Sequence, residues 1–272
     1  MLVLGTVLVA ALRFAWPEHS EAQVELTDER SVGDESRTIV MTMRLCVEPD
    51  VGTDRVVVRL SDARIKSIDG SSPGDTDPAH TLLAVGRVMK NLTPTMVISH
   101  DGRYLETRDL DRLVHDVLTA AGLPSLPVGS DAFASLLSDV AAEDWSTWVE
   151  AWLGKGQESN DLRARTRLTA SAVDSSDAVR MYTKGFLIDL AREAKELGDN
   201  DPVASERFLE KADYSPMTTT LTAELETATM CPVFAERTRT FSAVKGKHNV
   251  EGRERRTHRF TWAADIASPK GE

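Results

Sequence analysis

A chain of 272 residues and 29.8 kDa is long enough for one large domain or two small ones. Its formal charge of −11, with 43 acidic against 32 basic residues, excludes general nucleic-acid binding, because a polyanion is repelled at long range and counterion release needs clustered Lys and Arg. The apolar share of 41% still supports a core, since the apolar residues come in periodic blocks.

The chain opens on MLVLGTVLVAALRFAW, an apolar run of signal-peptide length and shorter than the about 20 residues a spanning helix needs. No basic end precedes it, Arg13 interrupts it, and no lipobox cysteine follows. The expectation is a signal-like or anchor segment with its linker over residues 1–22, a single domain over 23–265 and a tail over 266–272. The alternative is a buried N-terminal helix.

WPEHSEAQ reads as linker. RTIVMTMRLCVE follows as a half-buried strand, with Ile39, Met41, Met43 and Leu45 on one face. PDVGTD is turn chemistry and RVVVRL a return strand, which ARIKSI continues. HTLLAVGRVMKNL is ambiguous between a helix and an extended segment. TMVIS and RYLET flank Asp101-Gly102, expected to be a two-residue hairpin turn in which both residues take positive φ. DLDRLVHDVLTAAG is a helix by its apolar stripe, capped by Asp109 and closed by Gly122. A second helical stretch follows, with an expected break near Glu143-Asp144. LRARTRLTASAV returns to strand alternation, and Asp177 to Leu197 is a further helix. The remainder is strand-rich: TTTLTAELETATM, RTRTFSAV and RRTHRFTWAA, with a turn at KGKHNVEG. This order predicts an α+β domain, a curved antiparallel β-sheet with helices packed on one face.

The chemistry is sparse. His100-Asp101 falls at a turn and His115-Asp116 on a solvated helix face, so neither pair is expected to act as base and orienter. The six histidines show no HExxH or paired spacing; His248 and His258 flank a hairpin across which they would meet, but without a nearby acid. No nucleophile elbow or phosphate loop is present, and no catalytic residue, metal ligand or cofactor is assigned. Cys46 and Cys231 form a disulfide in an oxidising compartment, worth about 3–5 kcal/mol, or stay as two half-buried thiols in a reducing one. Trp145, Trp148 and Trp152, at i, i+3 and i+7, make a stripe that is either core or the lining of an apolar pocket. Arg253, Arg255 and Arg259 share one strand face, and Arg163, Arg165 and Arg167 another. Each row is a docking surface for an anionic partner or a solvated face balanced by nearby acids.

The stretches LLAVGRVMKNLTPTMVISHDGRYLETRDLDRL and WSTWVEAWLGKGQ resemble a loose group of uncharacterised exported bacterial proteins. Their sheets are similar in style to the curved half-barrels of lipoprotein carriers. The resemblance implies envelope residence and a curved antiparallel sheet with helices, and it transfers no catalytic residue. The functional expectation is therefore an exported or envelope-anchored, non-enzymatic protein. It would bind an apolar small molecule, a lipid or an envelope protein, with membrane contact through its N-terminus. The alternative is an enzyme whose site is assembled from scattered Asp, Glu and His.

Overall fold

The alternating stretches become long strands because β-branched and charged residues interleave at period two. The computed structural model describes residues 10–33, 35–72, 95–110, 130–157, 165–196 and 206–263. Its strands are β1 (Ala10–Ala11), β2 (Glu21–Val32), β3 (Glu35–Pro49), β4 (Val56–Ile68), β5 (Thr95–Ile98) and β6 (Tyr104–Arg108). They continue with β7 (Gly156–Gln157), β8 (Arg165–Asp174), β9 (Asp213–Tyr214), β10 (Met217–Glu226), β11 (Pro232–Lys245) and β12 (His248–Trp262). The helices are α1 (Ser130–Trp148), α2 (Asp177–Glu196) and α3 (Glu206–Leu209), with a 3-10 turn at Glu150–Trp152.

One open, curved sheet holds ten of the strands, in the order β6-β5-β4-β3-β2-β12-β11-β10-β8, with β9 beside β11. Every pairing is antiparallel. Among the described residues the protein is mainly β, so the α+β expectation is met at the level of the antiparallel sheet. The strand that joins the two halves of the sheet is β2. Its residues were expected to fall in linker and unassigned chain, because Asp28 and Arg30 occupy its inner register and break the apolar alternation. Pairing with both β3 and β12 holds it extended.

The inner face is read from the burial of β2, β3 and β12: Ala22, Val24 and Leu26; Ile39, Met41, Met43, Leu45 and Val47; and Phe260. These residues form the main core together with Trp145, Trp148 and Trp152 from α1 and the turn that follows it. A second, smaller cluster lies beneath α2: Phe186, Leu187, Leu209, Met217, Phe241, Ala243 and Val250.

The described part of the apolar N-terminal run is laid into the main core. Leu12 and Trp16 are 3% and 4% exposed. Backbone bonds tie Leu12 to Lys155 and Gly154, and the Trp16 indole donates to the carbonyl of Met230 at 3.1 Å. The segment expected at residues 80–92 lies outside the described residues, as does the helix expected over 110–121 but for its first residue. No helix among the described residues is long and apolar enough to cross a membrane.

Candidate functional site

Three neighbouring strands place charged residues on the inner face at the same level. Register pairs Arg30 with Glu254 and Glu254 with Arg239 in one row, and Asp28 with Arg256 and Arg256 with Arg237 in the next. From α1, Glu143 and Asp144 reach down onto these rows. α1 continues unbroken through Glu143-Asp144, where a break was expected, and the straight helix delivers both carboxylates to the sheet.

The result is a continuous chain of alternating charge. Arg30 contacts Asp28 at 3.4 Å and Glu254 at 3.7 Å, and Arg239 joins Glu254 at 3.3 Å to Glu143 at 2.6 Å. Arg237 joins Glu143 at 3.0 Å to Asp144 at 3.8 Å, and Arg256 ends the chain by donating to Asp144 at 2.8 Å. Four guanidinium groups meet four carboxylates, so the belt is formally neutral, as burial demands. α2 joins it through Tyr182, whose hydroxyl donates to Glu254 at 2.8 Å and accepts from Arg239 at 3.3 Å. Burial first, and then Glu254, hold the Tyr182 phenol above its ordinary pKa. Burial alone would lower the Arg239 guanidinium, but Glu143, Tyr182 and Glu254 reverse this and raise it.

His258 stands one step beyond the chain on β12, 1% exposed, with Nε2 3.7 Å from Asp144 and its ring edge-on to Trp148 at 5.0 Å. Burial, with Arg256 and Arg237 beside it, drives its pKa well below the usual 6.5, so the ring is neutral. His248 does not approach it. Both lie on β12, with His248 opposite Lys245 and His258 opposite Ala235, because β12 begins earlier than expected and leaves only Gly246-Lys247 as the turn.

The other predicted residues are placed as follows. His100 and Asp101 lie at an exposed hairpin tip, His100 3.5 Å from Asp54 and Asp101 hydrogen-bonded by Ser99 and Arg103. The loop has three residues rather than two. Ser99 and Arg103 pair around it and Gly102 alone takes positive φ, at 88°, as a three-residue hairpin requires. Trp145, Trp148 and Trp152 are each 1% exposed or less and part of the core, with Trp145 edge-on to Trp16 and Trp148 edge-on to His258 and Phe260.

Cys46 and Cys231 are both free thiols and are not brought together. Cys46 alternates with the inner residues Leu45 and Val47 and so faces outward, whereas Cys231 sits in the main core. Burial pushes the Cys231 thiol up to about 12.

Arg253, Arg255 and Arg259 share the outer face. Arg255 pairs with Glu236 at 2.7 Å and Glu29 at 3.8 Å, and Arg259 lies over the Phe234 ring at 5.5 Å. Arg165 stands 3.7 Å from Glu224, with Arg167 on the same outer face; Arg163 lies outside the described residues. The inner belt was missed by sequence reasoning although the same alternation reveals it. If Arg253, Arg255 and Arg259 face outward, Glu254, Arg256 and His258 must face inward. No group of three potential metal ligands is found among the described residues.

Comparison with known proteins adds no relative: no family model matches the chain, and no curated protein matches it.

Proposed function

We propose that the protein is an exported or envelope-anchored binding protein whose helices cover one face of the sheet, and that it holds an apolar ligand of the acyl-chain kind beneath α2. The observation that carries this reading is the separation of the small α2 cluster from the main core by the charged belt. Arg30 marks the boundary, with its guanidinium both in the belt and 5.3 Å from the Phe186 ring centre.

The energetics favour entry under α2 over entry under α1. Freeing Phe186 and Leu187 from the sheet costs about 1.5–3 kcal/mol for each side chain, and parting the Tyr182 hydroxyl from Glu254 adds about 1.5–3 kcal/mol. An acyl chain returns about 0.8 kcal/mol per buried methylene, so roughly a dozen methylenes outweigh that cost. Opening α1 would expose three tryptophans and unpair Glu143 and Asp144 from buried arginines, at about 3–5 kcal/mol for each broken pair. α2 also leaves Met181 69% exposed, apolar surface beside the point of entry. Export is supported by the apolar start of the chain, MLVLGTVLV, which precedes the part laid into the core.

Titration with cis-parinaric acid, followed by displacement with palmitate, tests the ligand. Phe186→Ala loosens the roof and is expected to tighten probe binding up to about tenfold, while Val250→Trp fills the floor and weakens it. Probe binding that neither variant changes would place the ligand elsewhere. Fractionation of the native protein with intact-mass analysis tests export; a full-length chain confined to the cytosol would contradict it.

A further inference from the structure

The outer face of the sheet carries a second feature, which shares Phe241 with the α2 cluster but is argued from other side chains. Register lines up Thr218, Thr240, Arg253 and Ser31 on four adjacent strands, all pointing outward. Ser242 and Glu251 form the next rung. Between these rows lies a cleft of about 430 Å³, bounded at its ends by Gly33 and by Ser215-Pro216.

Two local features make the hollow. Ser31 stands beside Arg253 where the neighbouring row has Glu29 paired with Arg255. Between β9 and β10 the chain also steps aside at Ser215-Pro216, where Ser215 holds Ser242 through both its N–H and its hydroxyl. Along the wall, Arg255 is occupied by Glu236 and Arg259 by Phe234, whereas Arg253 has no carboxylate partner among the described side chains. The groups directly opposite Arg253 are hydroxyls, Thr240 and Ser31. A free guanidinium framed by hydroxyl donors suits a tetrahedral or planar oxyanion. Glu251, two positions along on the same face, would repel a bare anion but accepts well from an alcohol; it already accepts from Asn249 at 3.4 Å.

We propose that this cleft binds the phosphate ester of a small polyol, with the phosphate on Arg253 and the hydroxyls of Ser31 and Thr240, and a ligand hydroxyl on Glu251. A free polyol phosphate and the glycerophosphate end of a lipid share this chemistry. The test uses the whole chain in calorimetric titrations with glycerol 3-phosphate and with inorganic phosphate, followed by sedimentation with phosphatidylcholine vesicles containing phosphatidylglycerol. Glycerol 3-phosphate is expected to bind more tightly than phosphate. Arg253→Gln should weaken it by about tenfold to a hundredfold, the range of a lost charge-assisted hydrogen bond. Arg255→Gln, whose arginine is already engaged, should leave it unchanged, and Glu251→Gln should remove the preference over phosphate. Vesicle binding lost in Arg253→Gln assigns the lipid source, and binding of glycerol 3-phosphate alone assigns the soluble one. Failure of both glycerol 3-phosphate and vesicles to bind, or binding that survives Arg253→Gln, overturns the proposal and leaves the acyl-chain reading untouched.

Discussion

The indole of Trp145 donates to the carbonyl oxygen of Gly102 across 2.8 Å, fixing α1 to the tip of the β5–β6 hairpin. Gly102 is also the floor on which Phe14 rests. A Cβ at that position would stand 2.6 Å from the Phe14 Cβ, on a backbone already at φ 88°. Three segments distant in sequence therefore meet at one hydrogen atom's worth of space.

Gly102→Ala should destabilise the protein by about 1–3 kcal/mol through strain and overpacking together. Trp145→Phe should cost a similar amount, because the buried Gly102 carbonyl loses its donor. Chemical denaturation checks both. If the two effects add fully in the double variant, the contact is not shared.

The belt predicts an asymmetry between buried and exposed ion pairs. Asp144→Asn leaves Arg256 and Arg237 short of their counter-charge and should cost about 3–5 kcal/mol. Glu25→Gln breaks the exposed pair with Lys66, at 2.8 Å, and should cost no more than about 1 kcal/mol. Urea midpoints at neutral pH measure the difference.

How much of this was legible in the sequence depends on what occupied the inner register. β3 was plain because Ile39, Met41, Met43 and Leu45 are all apolar. Its neighbour β2 was not, because the same register carries Asp28 and Arg30, and only pairing with Arg256 and Glu254 across the sheet explains charges there. The Asp-Gly turn was legible as a turn but not in its length, which Ser99 and Arg103 set by pairing around it. The tryptophan stripe was legible as a stripe. Its burial depended on Trp16 and Phe260, far away in the chain. The helix break was misplaced because Glu143-Asp144 looks like a solvated interruption until Arg237, Arg239 and Arg256 are seen beneath it.

His258 gives the protein a pH dependence of known sign. Its folded pKa lies below the unfolded value of about 6.5, so the unfolded chain binds the proton first. Its contribution is complete above about pH 6.5 and is lost as the pH falls below it, at up to about 1.4 kcal/mol per pH unit. His258→Asn should flatten that slope between about pH 6.5 and 5 in pH-dependent unfolding curves. An unchanged slope would mean that the ring is charged or exposed in the folded state.

The cysteines should differ in reactivity. Maleimide should label Cys46, which is partly exposed, and reach Cys231 only on unfolding, since it is buried with its pKa at about 12. Mass analysis after labelling in native and denaturing buffer counts the thiols. Modification of both in the folded protein would contradict the placement of Cys231 in the core.

The most direct test of the central claim is amide hydrogen exchange with and without palmitate. Amides over Val179–Ile188 of α2 should change protection when the fatty acid binds, while those of Trp145 and Trp148 in α1 stay as they were. Bound palmitate that leaves α2 unchanged, or that alters α1 instead, would contradict a ligand site beneath α2.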